Sequence, residues 1–488
     1  MNYSYDNLIL LTPEFMLAGL ALIVFTIDLF TSDGRKYILP WVSIIGLAVL
    51  IPVSIVMLQG TDTTAYGGFL LLDLYSLVFK IIFLVVGIMV ILVSMKYVHA
   101  NLTSPGEYYA LVLMAILGMN VLVQSQELLT AYVALELLSF SLYILVGYAK
   151  FNQKSNEAAL KYIIFGTFSS AIFLYGLSML YSVTGTTQYS LIAEVLNQSN
   201  QINPVSLIGI SMLLIGIGFK IGVVPFHAWV PDVYDGAPMP ITAYLAIGAK
   251  IAAFAFLARF IIGIMLPVEE LWSDWQMVLA VVATGTMIVG NVVALKQTSA
   301  KRMLAYSSIG HSGILLAALV VFGSTDGLII EGFIYYLIGY AITGFAVFSA
   351  LTGVVCQRNK EKISDLAGLA DDSPLLAAAI AIGLFSLAGL PIFVGFTTKL
   401  YMFSAIAVGG FLWLSSVAVL SSLISLYYYL IVIKSMYVDT STSLDNSRIN
   451  TGWPLKTVVI ISVIGTVFLG IYPEPLIDQI RGISNLIN

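Results

Sequence analysis

An all-α polytopic membrane protein of about fourteen transmembrane helices is the fold this sequence predicts, and three observations carry that expectation. Of 488 residues, 59% are hydrophobic and only 10% are charged, against about 25% charged in soluble domains. The apolar residues run in stretches of about 20, long enough to cross a bilayer core. The lysines and arginines fall in alternate connecting loops, the pattern that orients membrane chains.

In chain order the stretches are approximately 8–30, 38–57, 70–95, 108–124, 127–148, 160–182, 206–224, 241–264, 275–295, 303–322, 328–355, 374–403, 411–436 and 455–472. Met1–Asn7 lacks the positive region of a cleaved signal peptide, so the first stretch reads as a retained helix. The seventh and twelfth read as broken helices: Pro225 follows Gly222, and Pro391 follows Gly389. Proline removes a backbone donor and clashes with the preceding turn, and glycine loosens it. Backbone freed in this way inside a membrane must face protein or water, and broken helices beside a charge are a transport device.

Basic residues occupy the odd-numbered loops: Arg35 and Lys36, then Lys96, then Lys150 and Lys154, then Lys296, Lys301 and Arg302. Arg358, Lys360 and Lys362 follow in the eleventh, and Lys434, Arg448 and Lys456 border the thirteenth. The seventh loop, around Pro231–Pro240, has none and is placed by parity. The odd loops are therefore expected in the cytoplasm and both termini outside.

Leu129-Thr-Ala-Tyr132 opens the fifth stretch and Met303-Leu-Ala-Tyr306 the tenth, 174 residues later, while the Gly–Pro breaks are about 166 apart. This offset predicts a five-helix unit used twice, spans 4–8 and 9–13, the second inverted because five is odd. The expected division is a three-helix N-terminal segment (1–107), repeats over 108–264 and 265–436, and a C-terminal loop and span over 437–488.

Charges lie deep in these stretches. Lys220 is the only charge in 211–224, Lys399 the only one in 390–403, Lys250 lies in 241–257, and Glu136 is mid-stretch in 128–146. One charge at the bilayer centre costs roughly 2.5–3.5 kcal/mol, so four cost on the order of 10 kcal/mol. That cost points to moving protons or cations, since an ammonium removed from water can load and empty near neutral pH. Glu136 is the one acid expected at depth, and it needs a cation partner. Lys161 opens the sixth stretch, where it can pair with Glu136 or snorkel to the interface. Lys80 lies in the third stretch, where Asp73, two turns earlier, offers a purely structural pairing. Arg259 reads as an interface anchor. His227 lies just past the Pro225 break, and His311 is in the tenth stretch; either can be a hydrogen-bonded core residue or a relay group.

Other function classes are excluded or weakened. Cys356 is the only cysteine, which rules out an internal disulfide and a Cys-ligated iron–sulfur cluster. No GxGxxG or Walker A pattern occurs, and no basic block suggests nucleic acid. A sodium site would want clustered carboxylates at depth, whereas here several lysines accompany one acid. A purely structural scaffold would explain the spans and leave the lysines without a purpose.

The run Lys220-Ile-Gly-Val-Val-Pro225-Phe-His227-Ala-Trp-Val-Pro231-Asp232-Val-Tyr234-Asp-Gly236-Ala-Pro238-Met-Pro240-Ile-Thr242 closely resembles the signature of the antiporter-like membrane subunits of respiratory complex I. Asp232-Val-Tyr-Asp-Gly-Ala-Pro238 is nearest the N-type branch, with Asp235 where that branch usually has Glu. Asn156–Gly166 and Lys301–Gly313 are similar to more widely shared segments of the family, and the likeness covers nearly the whole chain. The resemblance implies a coupling pair of Glu136 and Lys161, central proton carriers Lys220 and Lys250, an exit-side Lys399, and His311 between the two halves. It implies no cofactor in this chain, with flavin, iron–sulfur clusters and quinone in other subunits, and partners among the other membrane subunits in a bacterial plasma membrane. A multisubunit Na⁺/H⁺ antiporter and a ferredoxin-using photosynthetic relative are the alternative settings.

Overall fold

A computed structural model describes residues 5–57, 63–102, 104–198, 203–323, 327–358, 361–440 and 451–487. Lys360 and Arg448, counted among the loop charges, lie outside them. The chain is almost entirely helical, as its hydropathy predicts. Among the described residues, twelve helices are long and apolar enough to cross a membrane, and Pro374–Ala388 and Val394–Val408 are shorter apolar helices; Ala300–Leu319, the expected tenth span, is less apolar than the twelve.

Three local features differ from expectation. Residues 70–72 pair with Thr63–Ala65 in a small antiparallel hairpin, so the third long helix starts only at Leu74. Asp73 stops it from starting earlier: its carboxylate accepts the Ser76 amide at 2.8 Å while the Ser76 hydroxyl accepts the Asp73 amide. The expected seventh loop is largely helical, over Trp229–Gly236. Its Pro231 sits in the first turn, where a missing N–H breaks no intrahelical bond. Tyr189–Gln198 and Glu474–Ile487 are additional short helices with one apolar face.

Packing divides the chain into two units. One comprises Met1–Ile91, Val98–Ile221 and Gly248–Trp275; the other comprises Leu92–Tyr97, Gly222–Ile247 and Gln276–Asn488. In the first unit, Pro105–Gln124 packs along Leu128–Val146 and Thr12–Phe30, and Gln153–Thr184 along Pro204–Ile221. The last two helices touch at Gly176 and Gly209, where a Cβ on Gly176 would stand 2.7 Å from the Gly209 carbonyl. Backbone contact of this closeness needs small residues, and it is how helices associate in lipid. In the second unit the long Leu328–Arg358 helix forms the centre, packed by Pro374–Ala388, Val394–Val408 and Trp453–Ile471.

The buried charges of the first unit find partners other than those expected. Arg259, taken for an interface anchor, is only 6% exposed and grips Asp73 with two hydrogen bonds of 2.8 and 3.0 Å. Lys80 pairs not with Asp73 but with Glu14 at 2.8 Å. The reason is axial distance: Asp73 caps the helix start, and Lys80 lies seven residues on, about 10 Å along it. Glu14 and Asp73 are buried, at 5% and 8% exposure, whereas Glu136 is half-buried. Breaking a buried pair from one side costs about 3–5 kcal/mol. Arg259→Ala is therefore expected to lower the thermal midpoint of the detergent-purified protein by several degrees, and an unchanged midpoint would contradict this account.

Candidate functional site

Each unit contains a helix that stops in mid-pattern with a lysine at its carbonyl end. In the first unit Pro204–Ile221 ends at Gly222, whose φ of +71° is a conformation glycine adopts without strain. Lys220 lies in the last turn, where the partial negative charge of the helix terminus favours an ammonium. Its Nζ donates to the Ser139 hydroxyl at 2.6 Å and the Tyr143 hydroxyl at 3.2 Å. Both come from Leu128–Val146, the helix that also bears Glu136. Glu136, Ser139 and Tyr143 are spaced i, i+3 and i+7 and therefore share one helix face. Glu136 accepts a 2.5 Å hydrogen bond from Ser170.

Lys161 bonds Glu157, one turn earlier on its own helix, at 2.8 Å, and both are partly or wholly exposed. Ser170, which holds Glu136, is nine residues from Lys161, about 13 Å further along the helix and half a turn around it. Lys250 is 5% exposed and directly follows a π-helical turn, Leu245–Ala249, a local widening common at functional sites.

In the second unit the break falls between Pro374–Ala388 and Val394–Val408. Gly389 has φ +87°, and Ile392, a β-branched residue, φ +83°. Holding Ile392 there costs about 1–3 kcal/mol, so its surroundings must enforce it. Lys399 reaches back across the break. Its Nζ donates to the Leu387 and Ala388 carbonyls at 2.6 and 3.2 Å and to the Ser422 hydroxyl at 2.6 Å. The ammonium thereby caps carbonyls that the break leaves without intrahelical donors. A side chain at Gly389 would put its Cβ 3.0 Å from Lys399 Cδ, a second reason for glycine there.

His311 is 6% exposed and lies between two tyrosines: Nδ1 is 2.6 Å from the Tyr336 hydroxyl and Nε2 3.4 Å from that of Tyr429. Tyr429 also bonds Ser307. A cavity joins the two groups, lined by His311, Tyr336, Tyr340, Ser386, Thr398 and Lys399 among others. His227, in the first break, is partly buried, and its Nδ1 has no hydrogen-bond partner among the described residues.

Each break brings together a lysine, hydroxyl groups that bond it and an interrupted helical backbone. Residues 125–425 match the family model described as the NADH:quinone oxidoreductase/Mrp antiporter transmembrane family. The chain belongs to this family. A Chloroherpeton thalassium protein named NADH-quinone oxidoreductase subunit N 2 is 40% identical over 477 residues, which cover 95% of this chain and 92% of that protein. A Heliobacterium modesticaldum protein named NADH-quinone oxidoreductase subunit N is 40% identical over 98% of each chain. Among solved structures, a chain of respiratory complex I from Thermus thermophilus with bound aureothin superposes with TM-score 0.79 at 29% identity, over 96% of this chain and 99% of that one. The chain is accordingly an integral membrane protein of the antiporter-like type.

Sequence reasoning placed both breaks and their lysines and missed the groups that hold them. Ser139 and Tyr143 were recoverable from their spacing to Glu136. Tyr336, Tyr429 and Ser422 come from helices distant in sequence and give no local signal.

Proposed function

We propose that the chain is a proton-translocating membrane subunit of a bacterial NADH–quinone oxidoreductase, working in the plasma membrane with both termini outside. The observation that carries this reading is the lysine at the carbonyl end of each broken helix, Lys220 on Ser139 and Tyr143, Lys399 on Leu387, Ala388 and Ser422. The spans over 108–264 and 265–436 are, in this reading, inverted repeats that contribute one break each. Flavin, iron–sulfur clusters and quinone belong to other subunits, and this chain moves protons.

The mechanism is electrostatic. The Lys220 ammonium is held by Ser139 and Tyr143 and attracted by Glu136. Neutralising Glu136, or turning it towards another cation, weakens that hold, and the proton leaves Lys220. Driving one proton against 100 mV takes about 2.3 kcal/mol, which corresponds to roughly a fifty-fold change in proton affinity. A charge moved by a few ångströms at low dielectric can supply this. His311, Tyr336 and Lys399 are the equivalent carriers of the second unit, and Lys250 belongs to the first. His227 marks the water-facing edge of the first break, whereas Lys80 and Asp73 serve the fold.

Purification of the assembly through a tag on this chain tests the reading. NADH-dependent quinone reduction with acidification of reconstituted vesicles is expected. Sodium-stimulated antiport without NADH oxidation would overturn it and favour a multisubunit Na⁺/H⁺ antiporter. Within the active assembly, Glu136→Gln keeps the Ser170 bond and removes the charge. It is expected to slow proton transfer several-fold, and an unchanged rate in the same vesicles would remove Glu136 from the mechanism.

A further inference from the structure

The N-terminal helices of the first unit contain a second polar centre that the proton relay does not use. Glu14 sits in the first turn of Thr12–Phe30, Lys80 on Leu74–Asn101, and Asn120 and Gln124 one turn apart at the end of Pro105–Gln124. All four are buried, with 5%, 3%, 2% and 0% exposure respectively. The Lys80 ammonium lies 2.8 Å from Glu14 Oε1. Gln124 Nε2 donates to the same oxygen at 2.8 Å and to the Asn120 carbonyl at 2.9 Å. These two bonds fix which end of the amide is nitrogen, because a flip would set oxygen against carboxylate and carbonyl. Three acceptors then have no hydrogen-bond partner among the described residues: Glu14 Oε2, Gln124 Oε1 and Asn120 Oδ1.

The centre is roofed. The Thr63–Ala65 and Leu70–Leu72 hairpin packs Ala65, Leu70 and Leu72 against Leu10, Leu11 and Val121. It is tied to the residues that follow Gln124, since the Gln126 amide donates to the Phe69 carbonyl at 2.8 Å. Two other buried acids of this unit are already engaged: Asp73 with Arg259, and Glu127 with the Thr130 amide and hydroxyl. The neighbouring Leu39–Met57 helix carries no charge.

Buried acceptors in native proteins are nearly always satisfied, and where protein supplies no donor an ordered water does. We propose that Glu14, Lys80, Asn120 and Gln124 form a closed binding site for water beneath the hairpin, separate from the relay. One water accepts from the Lys80 ammonium, which has two N–H groups beyond the one directed at Glu14. It donates to Glu14 Oε2 and Gln124 Oε1, and a second water serves Asn120. A metal cation fits less well, because the Lys80 ammonium already supplies the positive charge that Glu14 requires. The hairpin then keeps a hydrated ion pair out of contact with lipid.

Cryo-electron microscopy of the intact assembly, at a resolution that resolves ordered water, tests this. Density within hydrogen-bond reach of Glu14 Oε2 and Gln124 Oε1 is expected, with its loss in Gln124→Leu, which removes one acceptor and leaves the ion pair. A dry site in the wild-type map, with the three oxygens turned to protein donors, overturns the proposal. A density ringed by five or more oxygens at metal–oxygen distances overturns it equally, as a cation site.

Discussion

Lys220→Met is expected to cut NADH-driven proton transfer into vesicles at least tenfold while the assembly still forms. Methionine fills most of the lysine volume and cannot bind a proton. Ser139 and Tyr143 lose their donor, but Tyr143 stays packed edge-on against Tyr162, with ring centroids 4.6 Å apart. The structural loss is therefore modest. The loss in rate is large because the ammonium joins the Glu136 helix to the broken helix through Ser139 and Tyr143. A tenfold loss corresponds to about 1.4 kcal/mol of barrier, less than the ~2.3 kcal/mol that a proton gains against 100 mV. Vesicle acidification per NADH oxidised measures this directly, and a wild-type ratio would contradict it.

Most of the fold was legible because lipid imposes one rule, an apolar stretch of bilayer length, and this chain obeys it nearly everywhere. The breaks were legible because Gly222/Pro225 and Gly389/Pro391 violate that rule locally. The helix Trp229–Gly236 was not, since Pro231, Pro238 and Pro240 crowd its ends and read as loop. At the site, the lysines were conspicuous against an apolar background, but their partners were not. Arg259 and Asp73 are 186 residues apart, and no local pattern connects them. Lys399 bonds main-chain carbonyls, which any residue supplies; what places them is the backbone turn at Gly389 and Ile392. Lys161 bonds Glu157 on its own helix, a contact that their i, i+4 spacing makes legible.

Lys399→Met is the second large effect, and it should differ in kind from the first. Removing this ammonium takes away the proposed proton-binding group of the second unit and also uncaps the Leu387 carbonyl at the break, while the Ala388 carbonyl keeps the Ser422 hydroxyl as a donor. Leaving a buried carbonyl without a donor costs about 1–3 kcal/mol. Proton transfer should again fall at least tenfold, here with a measurable drop in thermal stability of the purified assembly. Lys220→Met, whose partners are hydroxyls able to turn to other acceptors, should show a much smaller drop. Equal stability losses in the two variants would contradict the capping role given to Lys399.

Lys220→Arg separates a carrier from a structural cation most directly. Arginine keeps the positive charge and can donate to Ser139 and Tyr143, but it does not release its proton in proteins. Protons moved per NADH oxidised by vesicles containing this variant should fall to the level of Lys220→Met. Transfer at the wild-type ratio would mean that a fixed charge suffices at this position, and that Lys220 does not carry the proton.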